Sequence, residues 1–318
     1  MIYSFAPMEG VTSYLYRQVH ARCFAGVDRY YAPFIAPDGS GNYRLGNRRD
    51  ILPENNRDIP LVPQILCSRP EPFLAVAREL GEMGYQEVNL NAGCPSATVV
   101  PKHKGAGMLL DLRSLDDFLA EVFSRCELKV SVKTRLGVAS TAEFPAILEI
   151  YNKYPLAELI IHARDRSGMY RSQPDLAAFA AAFGESRAPV CYNGNVFTPA
   201  SLDTVQAAAP ELDRVMLGRG AAANPALFRT LQGGSALEAE ELRDFLEQLE
   251  TAFTAAGLGT GYTLGRLKEL WYYVNHMFPA GAKGLKEINK ARSLADYHEG
   301  LRRIFAEGRF DPTAHFPG

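Results

Sequence analysis

The chain has 318 residues, 47% hydrophobic and 22% charged, with 34 Lys and Arg against 36 Asp and Glu for a formal net charge of −2. That is ordinary for a globular protein with a sizeable core, and the near-zero balance excludes nucleic-acid binding by bulk charge while leaving room for a local basic face. No run approaches the roughly 18 uncharged apolar residues of a membrane span. The opening Met1-Ile2-Tyr3-Ser4-Phe5 lacks the basic flank and cleavage site of a signal peptide. The five cysteines (23, 67, 94, 126, 191) form no CxxC pair or disulfide ladder, and with the six histidines they show no metal-ligand spacing. The expectation is a cytoplasmic, metal-free monomer.

In chain order, short β-branched or aromatic runs recur at 2–7, 29–34, 61–66, 87–93, 129–135, 158–164, 189–195 and 214–220. Their starts lie one βα unit apart, and several are nearly continuous apolar runs, as parallel strands covered on both faces should be. Helical patterns at 72–83, 112–125, 143–153 and 199–208 fill gaps between them, the second preceded by Asp111 as an N-cap. Eight such alternations predict a closed (β/α)8 TIM barrel over residues 1–235. An open doubly wound sheet is the lesser alternative, since no GxGxxG follows the first strand.

From about residue 237 the pattern is helical, at 237–255, 262–278, 282–292 and 296–306, with Gly257, Gly259, Gly261, Pro279 and Gly281 as punctuation. Leu264, Leu267, Trp271, Val274 and Phe278 recur at helical spacing and predict a core-facing stripe. Residues 236–318 therefore read as a C-terminal all-helical domain. Its charge is segregated: 235–258 hold six acidic residues and one basic, while 259–303 hold eight basic and four acidic.

In a barrel of this type the active site lies at the C-terminal strand ends. Those ends carry Pro7-Met8-Glu9, Gln64, the stretch 89–95 (Asn-Leu-Asn-Ala-Gly-Cys-Pro), Lys133-Thr134-Arg135, His162-Ala163-Arg164, Asn193-Gly194-Asn195 and Gly218-Arg219-Gly220. Any one alone is more often a satisfied or solvated side chain; their joint occurrence at matching positions is not what packing yields. The glycine-flanked loops after strands seven and eight suit a phosphate, with Arg219 adding charge-assisted donors. Lys133, across the mouth, suits a cofactor that becomes anionic, such as reduced flavin.

The strand-one run 6–12 (Ala-Pro-Met-Glu-Gly-Val-Thr), residues 89–95 followed by Lys104-Gly105-Ala106-Gly107, Lys133-Thr134-Arg135, His162-Ala163-Arg164, Asn193-Gly194 and Gly218-Arg219-Gly220 together resemble the tRNA-dihydrouridine synthase family of bacterial type. The resemblance runs in order from residue 6 to about 232, and the helical tail matches that family's RNA-binding domain in position and size. It implies an FMN-containing barrel that uses NADPH to reduce the C5–C6 bond of particular uridines in tRNA. Hydride would pass from flavin N5 to uracil C6, and C5 would take a proton from the opposite face. Cys94 matches the family's general acid; an ordinary thiol, with a pKa of about 8.5, keeps its proton at neutral pH. By the same resemblance Asn91 would bond the flipped base, with Arg135 and Tyr170 near the uracil edge. Gln64 and Lys133 would hold the flavin ring, Met8 would line its site next to Pro7, and His162 would support the cofactor. Asn193, Gly194, Asn195, Gly218 and Arg219 would hold its phosphate side. Two departures stand out. Ala-Arg-Asp-Arg follows His162 where many members have Gly-Arg-Thr, and Asn195 stands where an acidic residue is common.

The RNA side follows from charge alone. Arg44, Arg48, Arg49, Lys102, Lys104, Arg164, Arg166 and Arg171 all lie on loops after strand ends. In the tail, Arg266, Lys268, Lys283, Lys286, Lys290 and Arg292 are the expected tRNA contacts. A uridine inside folded tRNA must be extruded to meet a flavin, which asks for a deep pocket with a basic rim. Two other readings stay open: a small-molecule FMN oxidoreductase of the dihydroorotate dehydrogenase type, and a redox-inactive tRNA-binding module. The choice of uridine is not written in the sequence.

Overall fold

The computed structural model describes residues 1–317. Nine parallel strands form one sheet: β1 (Ile2–Phe5), β2 (Arg29–Tyr31), β3 (Leu61–Val62), β4 (Gln64–Ile65), β5 (Glu87–Ala92), β6 (Lys129–Gly137), β7 (Leu159–Asp165), β8 (Val190–Asn193) and β9 (Arg214–Leu217). Their order is β3-β2-β1-β9-β8-β7-β6-β5-β4. The two outermost members, β3 and β4, are halves of a single expected strand, parted at Pro63, which has no N–H to give to a ladder. The sheet is thus a barrel closed but for this seam, and an Ile35–Ile65 bridge crosses beside it. Strands eight and nine stop at Asn193 and Leu217, short of their expected ends, because Gly194 leaves the ladder and Gly218 precedes a short helix, Arg219–Ala223.

The barrel fills as its sequence demands. Ala6, Tyr31, Val62, Ile160, Cys191 and Met216 form one buried apolar cluster. Toward the strand N-termini the filling turns ionic around Glu158, which is fully buried. Its carboxylate accepts from Tyr31 Oη at 2.8 Å and Arg214 Nη1 at 3.3 Å, and lies 3.6 Å from Arg29 Nη1. Arg29 also pairs with Glu87. Two barrel helices start on aspartate caps, Asp111 as expected and Asp175 besides. Asp111 accepts from the N–H groups of Arg113 and Ser114, both at 3.1 Å, and Asp175 from Ala178 at 2.9 Å. Each such cap is worth about 1 kcal/mol.

The chain divides into two compact units. The first, Met1–Pro7, Asp28–Asn195 and Asp203–Leu217, holds the barrel; the second is Met8–Val27, Val196–Leu202 and the chain from Gly218 onward. The second contains the helices Tyr14–Cys23, Ala239–Ala255, Thr260–Val274, Ala282–Lys290 and Leu294–Glu307. Tyr16 meets Phe245 edge-on at 5.7 Å, and His20, whose pKa burial pushes down to about 4, donates from Nε2 to Pro225 O at 3.0 Å. The expected stripe Leu264, Leu267, Trp271, Val274 and Phe278 is buried throughout. Helices Ala282–Lys290 and Leu294–Glu307 cross at Gly284 and Gly300. A Cβ on Gly284 would sit 2.8 Å from Gly300 O and 2.5 Å from Ile304 Cγ1, so only glycine permits the approach. No helix among the described residues is long and apolar enough to cross a membrane.

Candidate active site

Strand register brings the chemistry-bearing residues of the barrel to one edge. Gln64 pairs with Asn89, Asn91 with Lys133, Arg135 with His162, and His162 with Asn193. Because side chains alternate along a strand, Asn89 and Asn91 share a side, as do Ser131, Lys133 and Arg135. The loop carrying Cys94 leaves β5 directly above. Asn91 Oδ1 accepts from the backbone N–H of Cys94 at 2.9 Å and of Gly93 at 3.2 Å. From the other side the turn at Gly105 presses on it: Cys94 O accepts from Ala106 N at 3.0 Å. Gly105 has φ +57°, and a Cβ there would lie 2.7 Å from Cys94 O. The Lys-Gly-Ala-Gly run is therefore a backbone requirement of the cysteine loop. Cys94 itself is half-buried, open enough to meet a ligand.

Lys133 donates from Nζ to Asn193 Oδ1 at 2.8 Å, while Asn193 Nδ2 donates to Met216 O at 2.9 Å, which sets the polarity of that amide. Burial, with the nearby Arg135 charge, pushes the Lys133 pKa down to about 8. Among the described residues no carboxylate pairs with this ammonium, so the site holds a cation in want of an anion.

Arg135 is only 1% exposed, and three of its hydrogen bonds go to backbone carbonyls. Nε bonds Gly93 O at 2.9 Å, and Nη1 bonds Asp165 O at 2.8 Å and Met169 O at 3.0 Å. Its guanidinium also lies 5.4 Å from the ring centre of Tyr170, which is 47% exposed and 5.9 Å from the His162 ring. Arg135 thus straps the cysteine loop to the loop after β7, and Tyr170, not Arg135, is the exposed member of the pair. Arg164, expected on the basic rim, is corrected: it is 1% exposed, donating to Ser172 O at 2.7 Å and to His162 Nε2 at 3.0 Å. Since arginine has no acceptor, His162 Nε2 is a lone pair and its ring proton sits on Nδ1. Asp165, the unusual residue after it, accepts from Ser167 Oγ and Gly168 N at 2.7 Å each and so builds the turn that carries Tyr170.

A half-buried thiol, a half-buried cation and a row of oriented amides on one barrel edge suit a flat, carbonyl-rich ring that becomes negative. The sequence pattern of the dihydrouridine synthase (Dus) family matches residues 4–301. The chain belongs to this family. It is 29% identical over 94% of its length to the tRNA-dihydrouridine(16) synthase of Ralstonia nicotianae, 90% of which is covered. It is 25% identical over 97% to tRNA-dihydrouridine synthase B of Pseudomonas aeruginosa, 94% of which is covered. A probable tRNA-dihydrouridine synthase of Staphylococcus aureus is 30% identical over 70% of this chain and 69% of its own. Among solved structures, morphinone reductase superposes with a TM-score of 0.53 at 13% identity, over 76% of this chain and 88% of its own. That likeness is one of barrel fold.

The remaining residues expected in this Dus chain fall into place locally. Pro7 ends the β1 segment. In the second unit Met8 opens a tight turn, its N–H donating to Thr12 Oγ1 at 2.8 Å. Gly218 precedes helix Arg219–Ala223, and the Arg219 guanidinium stacks 5.7 Å from the Phe316 ring. In the barrel unit, Gly194 lies against Tyr192: a Cβ would meet its hydroxyl at 2.2 Å. Asn195 follows, half-buried. In the tail, Lys283, Lys286, Lys290 and Arg292 are exposed, the three lysines at i, i+3 and i+7 on one helix face. Arg266 bonds Gly10 O and Glu269, and Lys268 bonds Ala291 O, so both carry internal structure. Asn89, read in sequence only as the start of the stretch 89–95, and Ser131, which the sequence did not single out, lie buried behind the site edge, and strand alternation with Asn91 and Lys133 was the signal for them.

Proposed function

We propose that this protein reduces the C5–C6 bond of uridines in tRNA, with FMN as bound cofactor and NADPH as reductant. The observation that carries the reading is the barrel edge on which a half-buried thiol, an anion-seeking Lys133 and the oriented amides of Gln64, Asn91 and Asn193 stand together in a chain of the dihydrouridine synthase family. The donor set fits a flavin: Lys133 pairs with no carboxylate among the described residues, and Asn91 keeps an N–H for a ring carbonyl. When bound, FMN supplies hydride to C6 of the base.

Within that scheme the chain's own residues have separate tasks. Lys133 holds negative charge on the cofactor ring, and His162 supports the cofactor. Gly218 and Arg219, directly after the last barrel strand, are the phosphate contacts by position, with Asn193, Gly194 and Asn195. Met8 and Pro7 line the cofactor side. Asn91 offers its remaining N–H to a base carbonyl, Tyr170 covers the base, and Arg135 keeps the loops of both in register. Cys94 protonates C5 from its Sγ. The helical stretch 236–318 docks tRNA, with Lys283, Lys286, Lys290 and Arg292 as its phosphate row. Arg266 and Lys268 support that surface from within. The soluble protein acts as a monomer without metal.

The test is dihydrouridine formation. Purified, yellow protein with NADPH should convert uridine in tRNA from a strain lacking the gene, mapped by mass spectrometry. Position 16, which the Ralstonia relative carries in its name, is the first site to inspect. Colourless protein, or tRNA with an unchanged dihydrouridine map, would refute the reading.

A further inference from the structure

Behind the cysteine loop runs a chain of side-chain amides that crosses three strands. Asn91 Nδ2 donates to Gln64 Oε1 at 2.8 Å, Gln64 Nε2 donates to Asn89 Oδ1 at 2.8 Å, and Asn89 Nδ2 donates to Ser131 Oγ at 2.9 Å. Gln64, Asn89 and Ser131 are 0% exposed and Asn91 is 8%. The polarity of this chain is forced. Backbone N–H groups can only donate, so the Asn91 end bonded to Gly93 and Cys94 must be oxygen and its other end nitrogen. Gln64 must then present oxygen to Asn91 and nitrogen to Asn89, which in turn must present nitrogen to Ser131. One flipped amide would set two donors or two acceptors face to face in a buried site.

From this we infer that Asn89, with Ser131 behind it, is a positioning residue for uridine reduction. Asn89 touches neither the cysteine loop nor the open edge; it acts through Gln64 and Asn91. By accepting from Gln64 it locks the Gln64 amide with its nitrogen side fixed, and that lock leaves Asn91 Oδ1 committed to the loop N–H groups. The Cys94 backbone is held by the far end of the relay. The same polarity leaves one unspent N–H on Gln64 and one on Asn91. Asn91, the one amide of the relay with any exposure, therefore meets a ligand as a donor, which suits a ring carbonyl oxygen rather than an amino group. The inference rests on the proposed reaction for its functional readout and on the hydrogen-bond register for its structural one.

The test compares Asn89→Leu with Asn89→Asp in full-length, flavin-loaded protein. Leucine has nearly the same size but no acceptor. Aspartate keeps an acceptor for Gln64 and accepts from the Ser131 hydroxyl, while introducing a buried acid that lowers stability. Stopped-flow oxidation of the reduced protein by tRNA should slow about 10- to 100-fold in Asn89→Leu, the scale of a misplacement of about 1 Å. The KM for tRNA should stay at the wild-type value. Asn89→Asp should regain most of that rate although it is the less stable of the two, an order that a packing role cannot produce. In cofactor-free protein, the side-chain amide protons of Gln64 and Asn91 should exchange with solvent faster in Asn89→Leu than in wild type. Rates that follow stability, or unchanged exchange, would overturn the inference. If Asn89→Leu does not fold, Ser131→Ala replaces it: a several-fold slower tRNA step, restored in Ser131→Thr, supports the relay, and wild-type behaviour refutes it. Wild-type protein that forms no dihydrouridine would instead refute the proposed reaction, and the exchange measurement would still decide the relay.

Discussion

Lys133 should act in opposite directions with and without its cofactor. In the free protein its ammonium is half-buried with a neutral amide as partner, and its pKa falls from the ordinary 10.5 to about 8. At 1.36 kcal/mol per unit, that drop is a destabilisation of roughly 3 kcal/mol while the group is charged, and somewhat less once partial solvent access is allowed for. The sign follows from proton counting. Between about pH 8 and 10.5 the unfolded chain holds a proton that the folded chain has released, so stability rises with pH across that window. Below pH 8 both states are protonated and the full cost remains. Lys133→Met, with a side chain of similar length and no charge, should therefore unfold at higher urea than wild type at pH 7. The two curves should converge as pH approaches 10. With FMN present the order should invert, because the cation then has its anion: the variant should bind FMN at least tenfold more weakly, the scale of one charge-assisted hydrogen bond. Urea titrations of flavin-stripped protein at several pH values, with FMN binding by fluorescence quenching, supply both readings. A stability difference that does not vary with pH, or FMN affinity that survives the substitution, would refute the assignment of Lys133 as an unpaired half-buried cation awaiting an anionic ring.

Other outcomes follow from the same geometry. Cys94→Ala should keep FMN and tRNA affinity and NADPH oxidation while losing roughly 10²- to 10⁴-fold in dihydrouridine formation, the size of a general-acid effect; near-normal product in a mass assay would remove the thiol from the reaction. Replacing Lys283, Lys286 and Lys290 with Gln should weaken tRNA binding and flatten its salt dependence by up to about one unit of log–log slope for each phosphate no longer neutralised. FMN content should not change, and a filter-binding salt series that overlays wild type would move the RNA footprint to the barrel loops. Glu158→Gln should cost about 2–3 kcal/mol in urea unfolding, since Arg29 and Arg214 lose the buried carboxylate between them. An unchanged midpoint would mean that the ionic base of the barrel contributes little to its stability.

Much of the site edge was legible because its signals are local. Polar residues at the ends of apolar runs mark the barrel mouth wherever the strands alternate with helices, and Lys133, Asn91 and Cys94 stand out in that way. Asp111 is readable as a cap for the same reason: it precedes a helical pattern by one residue and needs no distant partner. The residues that sequence misplaces are those whose charge says nothing about depth. Arg164 looks like rim arginine in sequence, yet the loop after β7 folds back over it and supplies Ser172 O. Arg135 looks like a ligand to the base and is spent on carbonyls from two loops. Arg266 adds to a basic segment, but its guanidinium bonds Gly10 O, a partner 256 residues away.

Hydrophobic periodicity and strand-end composition by themselves determined the barrel, the helical tail and the polar and glycine-rich strand ends, because period, polarity and backbone freedom are properties of neighbouring residues. Only the tertiary structure decided which polar groups face one another. Barrel closure buried Glu158 between arginines from two other strands and left the seam at Pro63. Strand register placed Ser131, Asn89 and Gln64 side by side, and that placement turned three ordinary polar residues into one oriented chain ending at the Cys94 backbone. A hydrogen bond has direction and needs its partner within about 3 Å, and which groups come that close is settled by the fold of the whole chain.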